Sequence, residues 1–150
     1  MPPARYVLFP TDFSDSAERA LSVAMRFAGL LGTGVHLVHV YPARVQIAAA
    51  ITDGEVSPAP NPEILEGIRR ELDALAARVR ALGLACETGV IDGDVADSII
   101  AQAGEIDAEL IVMGMHRRER FGKAVVESVT HRVLMRTTRP LIAVPPPQAE

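Results

Sequence analysis

Five short segments rich in apolar residues, continuous runs in Tyr6–Phe9, Leu110–Met113 and Leu141–Val144, alternate along this chain with four stretches whose apolar residues recur at helical spacing. Runs of that kind, closed by proline, glycine or aspartate, read as strands buried on both faces, which requires helices on both sides of a sheet. They are Tyr6–Phe9, Val35–Tyr41, Leu84–Ile91, Leu110–Met113 and Leu141–Val144. Ser14 is placed to cap the first helix, with Asp15 and Glu18 favouring its positive end, and Gly32 and Gly34 close it. Asn61 followed by Pro62 opens the second, whose stripe runs from Ile64 through Ile68, Leu72 and Val79 to a stop at Gly83. Asp94 heads a short third helix carrying Ile99 and Ala103, and a fourth is expected over roughly Val125 to Arg136. Three prolines, Pro145 to Pro147, prevent the last strand from continuing its ladder.

Strands alternating with helices in this way define a single α/β domain over residues 1–150, a parallel, doubly wound, five-stranded sandwich. Right-handed crossovers with helices on both faces leave few strand orders, and 3-2-1-4-5 is the one expected. That order sets the topological switch point between strands one and four. Asp12 and Gly114 then face each other across one crevice. The high aliphatic and low aromatic content suits helices on a Val/Ile/Leu sheet better than a β-sandwich.

Several function classes are excluded or disfavoured. A net charge of −4 argues against a general nucleic-acid binder, which needs a surplus of positive surface. With Cys86 as its only cysteine the chain forms no internal disulfide, and a reducing interior fits. The start, MPPARYVLFPTD, lacks the apolar core of a signal peptide, and no apolar run reaches membrane length. A soluble, cytoplasmic protein with no membrane partner is expected.

The stretch from Glu109 to Val144, ELIVMGMHRRERFGKAVVESVTHRVLMRTTRPLIAV, reads as strand, loop, helix and strand. Its loop lies at the carboxyl end of a strand, where α/β proteins hold ligands. Within it, Arg117, Arg118, Arg120 and Lys123 against Glu119 give a local charge of +3. That run reads either as a contact for an anionic group or as a solvated loop. The histidines give no metal set. His36 and His39, three apart on one strand, point to opposite faces, and His116 and His131 have no partners in ligand spacing. Ser128, His116 and Asp12 stand near one crevice, but no G-x-S-x-G elbow surrounds any serine, so the residues point away from dedicated catalysis. Asp92, Asp94 and Asp97 are accounted for by helix capping better than by a cation. The apolar patch Val45–Ile51 within Pro42–Pro62 reads as a short helix over the crevice or a partner surface.

Three pieces of the chain carry a resemblance. LFPTDFSDSAERAL, GDVADSIIAQAGEIDAELIVMGMH and ESVTHRVLMRTTRPLIAV, in that order and at these separations, resemble the universal stress protein family. The likeness covers nearly the whole chain apart from Pro42–Pro62. It implies the Rossmann-like, adenine nucleotide alpha-hydrolase-like fold reached above, and a stress-response role. It also implies a homodimer in which the edge strand Pro140–Pro145 pairs antiparallel with its twin.

Many members of the family bind ATP through the pattern G-x2-G-x9-G-[ST] after strand four, while others lack it and bind none. The resemblance therefore leaves the ligand open between ATP with magnesium and no cofactor. On that pattern this chain aligns Gly114, then Arg117 and Glu127 where glycines stand, then Ser128 at the hydroxyl position. Glycines there let phosphate oxygens reach backbone N–H groups, and the helix N-terminus adds positive charge. Glu127 sets an anion against those phosphates, and Arg117 can either pair with it or with phosphate. The base-binding half keeps its likeness. Pro10, Thr11 and Asp12 match the end of strand one, Val40 matches the adenine-contacting position, and Met113, Val129 and Thr130 match the rest, with His116 in the intervening loop.

Overall fold

A computed structural model describes residues 5–41, 61–120, 123–126 and 128–146, the side chains of 117–120, 123–126 and 128 excepted. The expected sandwich is present. In chain order the elements are β1 (Tyr6–Pro10), α1 (Asp15–Leu31), β2 (Gly34–Tyr41), α2 (Pro62–Ala81), β3 (Cys86–Asp92), α3 (Val95–Glu105) and β4 (Leu110–Gly114). They continue with β5 (Arg117–Arg120), β6 (Lys123–Val126), α4 (Ser128–Arg136) and β7 (Leu141–Val144). The main sheet has the order β3-β2-β1-β4-β7 and is parallel throughout, which is the expected 3-2-1-4-5 with β7 as its fifth strand.

Alternation of side chains along the strands divides the core between the two faces of the sheet. Val7, Phe9, Leu37 and Val112 face α1 and α2, packing on Leu21, Ala24, Leu72 and Val79. Leu8, Val38, Val40, Ile111 and Met113 face α3 and α4, packing on Ile99, Ala103 and Val133. The caps form as the residues dictate. Ser14 accepts from the Ala17 N–H at 3.2 Å, Asn61 from Glu63 at 2.9 Å and Asp94 from Asp97 at 3.0 Å. Gly32 ends α1 in the left-handed region at φ 68°.

Three expectations are corrected. The loop after β4 is no plain loop: β5 and β6 pair antiparallel, Arg117 opposite Val126 and Arg120 opposite Lys123. Accordingly the fourth helix does not begin near Val125 but at Ser128. Val125 and Val126 are β-branched, so their stiff side chains weaken a helix start and favour a ladder when a partner strand is at hand. The third strand also runs from Cys86 to Asp92 instead of Leu84 to Ile91. The apolar patch Val45–Ile51, and Phe121, Gly122 and Glu127, lie outside the described residues.

Candidate functional site

The turn that follows β1 is held by its own side chains. The Thr11 hydroxyl oxygen accepts from the Phe13 N–H at 3.0 Å, and one Asp12 oxygen accepts from the Ser14 N–H at 3.0 Å. Such bonds from a side chain to a nearby N–H make tight turns. Here they hold Phe13 at φ 63°, a left-handed conformation costing a non-glycine residue about 1–2 kcal/mol. Two contacts offset the cost. The Phe13 ring stacks on His39 with centroids 4.9 Å apart, and His39 Nδ1 donates to the Thr11 carbonyl at 2.8 Å. The result is an Asp12 carboxylate fixed at the carboxyl edge of the sheet.

Opposite it stands Gly114, the last residue of β4. A Cβ there would lie 2.9 Å from the carbonyl oxygen of Ser16 and 3.3 Å from the Ala17 nitrogen. The first turn of α1 therefore touches the backbone of β4, and only glycine permits it. Two residues on, His116 Nε2 reaches across the switch point to the second Asp12 oxygen at 2.8 Å. A carboxylate only accepts, so that nitrogen carries the proton. The Ser14 hydroxyl oxygen lies 3.4 Å from the same nitrogen. Because Asp12 and Ser14 meet one ring nitrogen and not two, His116 cannot relay a proton between them as a hydrolytic triad does. Burial pushes the Asp12 carboxyl pKa up, but the Ser14 hydroxyl and N–H and the His116 imidazole outweigh it and hold the group below its ordinary value.

Between these groups lies a crevice of about 190 Å³. Of the residues singled out from the sequence, Pro10, Thr11, Asp12, Val40, Met113 and Gly114 line it, together with His116, Val129 and Thr130. The side chains of Arg117 and Ser128, and all of Glu127, lie outside the described residues. Ala17, His39, Val95 and Ile99 also line the crevice and were not singled out as site residues. Three of these are aliphatic positions of helical stripes, whose identity signals only core. His39 and His36 do part to opposite faces: His39 reaches the β1–α1 turn, while His36 Nε2 accepts from the Gln102 amide on α3 at 3.3 Å.

The wall formed by α3 and α4 is fastened by paired charges. Arg132 donates to Asp94 at 2.9 Å, and Arg136 pairs with Asp97 one turn along. Asp94 thus both caps α3 and anchors α4. The backbone N–H of Asp97 does most to hold its carboxyl below the ordinary range, against a small effect of burial, and Arg132 adds to it. Among the described residues, no group of three His, Cys, Asp or Glu side chains is placed to hold a metal ion. Nor, among them, is any helix long and apolar enough to cross a membrane.

A doubly wound parallel domain with a polar-rimmed, apolar-floored crevice at its switch point belongs to the class of α/β folds that seat ligands at strand carboxyl ends. Residues 4–145 match the model of the universal stress protein family, so the chain belongs to that family. It is 23% identical over 150 residues to a universal stress protein of Methanocaldococcus jannaschii, covering 92% of this chain and 93% of that one. The fold is similar to that of a universal stress protein from Archaeoglobus fulgidus, with TM-score 0.74, 24% identity and 93% of each chain covered. A structure of the universal stress protein from the same organism in complex with dAMP superposes with TM-score 0.70 at 25% identity, covering 96% of this chain and 99% of that one.

Proposed function

We propose that this chain is a single-domain, non-catalytic stress-response module of the cytoplasm. Its crevice takes the nucleoside end of an adenine nucleotide and grips a triphosphate tail poorly. The carrying observation is the crevice at the switch point, with an apolar floor of Val40, Ile99 and Met113 and the fixed Asp12 carboxylate on its rim. The dAMP complex of the Archaeoglobus fulgidus relative supports the ligand class. Arg117 and Glu127, standing where the family pattern has glycines, support the loss of the phosphate grip. An internal pair between their opposite charges would close the berth from inside. The meeting of Asp12 and Ser14 at one and the same nitrogen of His116 supports a binding role over a hydrolytic triad of these three residues.

Calorimetric titration tests this reading. AMP is expected to bind more tightly than ATP with magnesium. Micromolar binding of magnesium-ATP, tighter than AMP, overturns it and favours a nucleotide switch in which Arg117 and its basic neighbours hold the tail.

The module is proposed to act as a homodimer through Pro140–Pro145. β7 is an edge of the sheet, with Leu141, Ile142 and Ala143 only partly buried. The Ile111 N–H donates to the Pro140 carbonyl and Met115 to Val144, so alternate residues of β7 face β4. By that alternation the Ala143 N–H faces outward, free of the β4 ladder. Ala143→Pro is therefore expected to leave the fold intact by circular dichroism and yield monomers by light scattering. A dimeric variant would exclude this interface.

A further inference from the structure

We propose that a second cavity, on the opposite face of the sheet from the crevice, binds a small organic amine: an ammonium group carried on a single apolar ring or short chain. The inference does not rest on the nucleoside-binding reading.

The cavity lies between the start of α1 and the middle of α2 and holds about 250 Å³, against about 190 Å³ for the crevice. Side-chain size accounts for the space. Here α1 and α2 contribute Ala17 and Ala74, which leave room that larger side chains would fill. Phe9 and Leu21, both buried, form the floor, and Phe13 and Leu75, partly buried, form the sides. An apolar cavity of about 150 Å³ already admits benzene, so there is room for one ring and a short chain. Phe13 divides the two sites, since its ring stacks on His39, which lines the crevice.

Charge decides the polar end of the ligand. The charged side chains lining the cavity, Glu18 and Glu71, are both acidic, and among the described residues no basic side chain lines it. Arg78 of α2 pairs with Glu18 and ties the two helices together at that end. Glu71 has no such partner among the described residues. The positive end of α1 is answered within the helix, by the Ser14 cap and by Asp15 and Glu18 in its first turn. An apolar void with an unneutralised carboxylate on its rim is complementary to a cation with an apolar body.

Phenethylamine is the probe, read by nuclear magnetic resonance on isotopically labelled protein. Saturable shifts of the Leu21, Ala74 and Leu75 methyl signals are expected, with Overhauser contacts from the ring to Ala74 and Leu75. Phenethyl alcohol, the same body without the charge, is expected to bind about fivefold more weakly. Glu71→Gln is expected to bring the amine down to the affinity of the alcohol and to leave the alcohol unchanged. Ala74→Leu, at an exposed helical position that takes a larger side chain, fills the void and is expected to abolish binding of both. No saturable shift, shifts confined to Val40 and Met113, equal affinity for amine and alcohol, or unchanged binding in Ala74→Leu overturns the site. So do contacts in the free protein between the Leu75 methyls and residues 42–60, which would mean that the chain itself occupies the void.

Discussion

The crevice has two sides that differ in how their residues are committed. On the side built from the ends of β1 and β4, each polar group already has work in the fold: Thr11 and Asp12 shape the turn, Ser14 caps α1, and Gly114 admits the backbone of α1. Between β4 and α4 in the sequence, the proposed reading sets Arg117 and Glu127 against the second and third glycines of the ATP-binding pattern that the resemblance implies. The glycine that this chain keeps is the one its packing requires whether or not a ligand is present. On the proposed reading, the two that it lacks are those that would let phosphate approach. A residue with a structural duty is needed whether or not a ligand binds, so matching such a residue to a motif is weak evidence of binding.

The largest effect is expected where packing and motif coincide. Gly114→Ala drives a methyl group against the Ser16 carbonyl, backbone meeting backbone, with no flexible side chain to yield. Overpacking of this kind costs about 3 kcal/mol, the upper end of its usual range. Gly104, in α3, has nothing within 4 Å of its Cβ position, so Gly104→Ala is expected to stabilise by about 0.5–1 kcal/mol through helix propensity alone. Urea denaturation of the two variants checks the pair. A Gly114→Ala protein as stable as its parent would mean that Gly114 serves a ligand and not the fold, and would erase the distinction between the two sides.

The same asymmetry decided what could be read from the chain. Strand order was legible because the apolar runs of β1, β4 and β7 are short, continuous and separated by helical stripes with recognisable caps. Asp12 and Gly114 could be set across one crevice from topology alone. The β5–β6 pairing was not legible. Arg117–Arg120 is uniformly charged and shows no alternation of apolar and polar residues, so neither period marks it as a strand. The Asp12–His116 bond was equally hidden, since it joins residues 104 positions apart and depends on where the chain leaves β4. Ile99 and Val95 pass as core because an aliphatic side chain looks alike in a sequence whether it faces another side chain or a crevice.

A smaller effect, confined to the phosphate half of the proposed site, separates the roles of Arg117 and Glu127. Two like charges ~4 Å apart repel by about 4 kcal/mol at an effective dielectric of 20, and physiological salt with a Debye length of about 8 Å reduces that. Removing the carboxylate should therefore recover about 2 kcal/mol, or roughly thirtyfold in affinity for magnesium-ATP. Glu127→Gly is expected to show that gain while leaving adenosine affinity unchanged, because the proposed reading sets Glu127 against the phosphates and not against the nucleoside. If Arg117 neutralises Glu127, Arg117→Gly alone weakens ATP binding further by unmasking the carboxylate. The loss then vanishes in the double variant, where no carboxylate is left to unmask. If Arg117 instead grips phosphate, its removal costs the same whether or not Glu127 is present. Calorimetry on the four proteins distinguishes the two. A Glu127→Gly variant whose ATP affinity equals that of its parent would remove the electrostatic contrast between the two sides and leave steric filling by Arg117 as the reason for a weak phosphate grip.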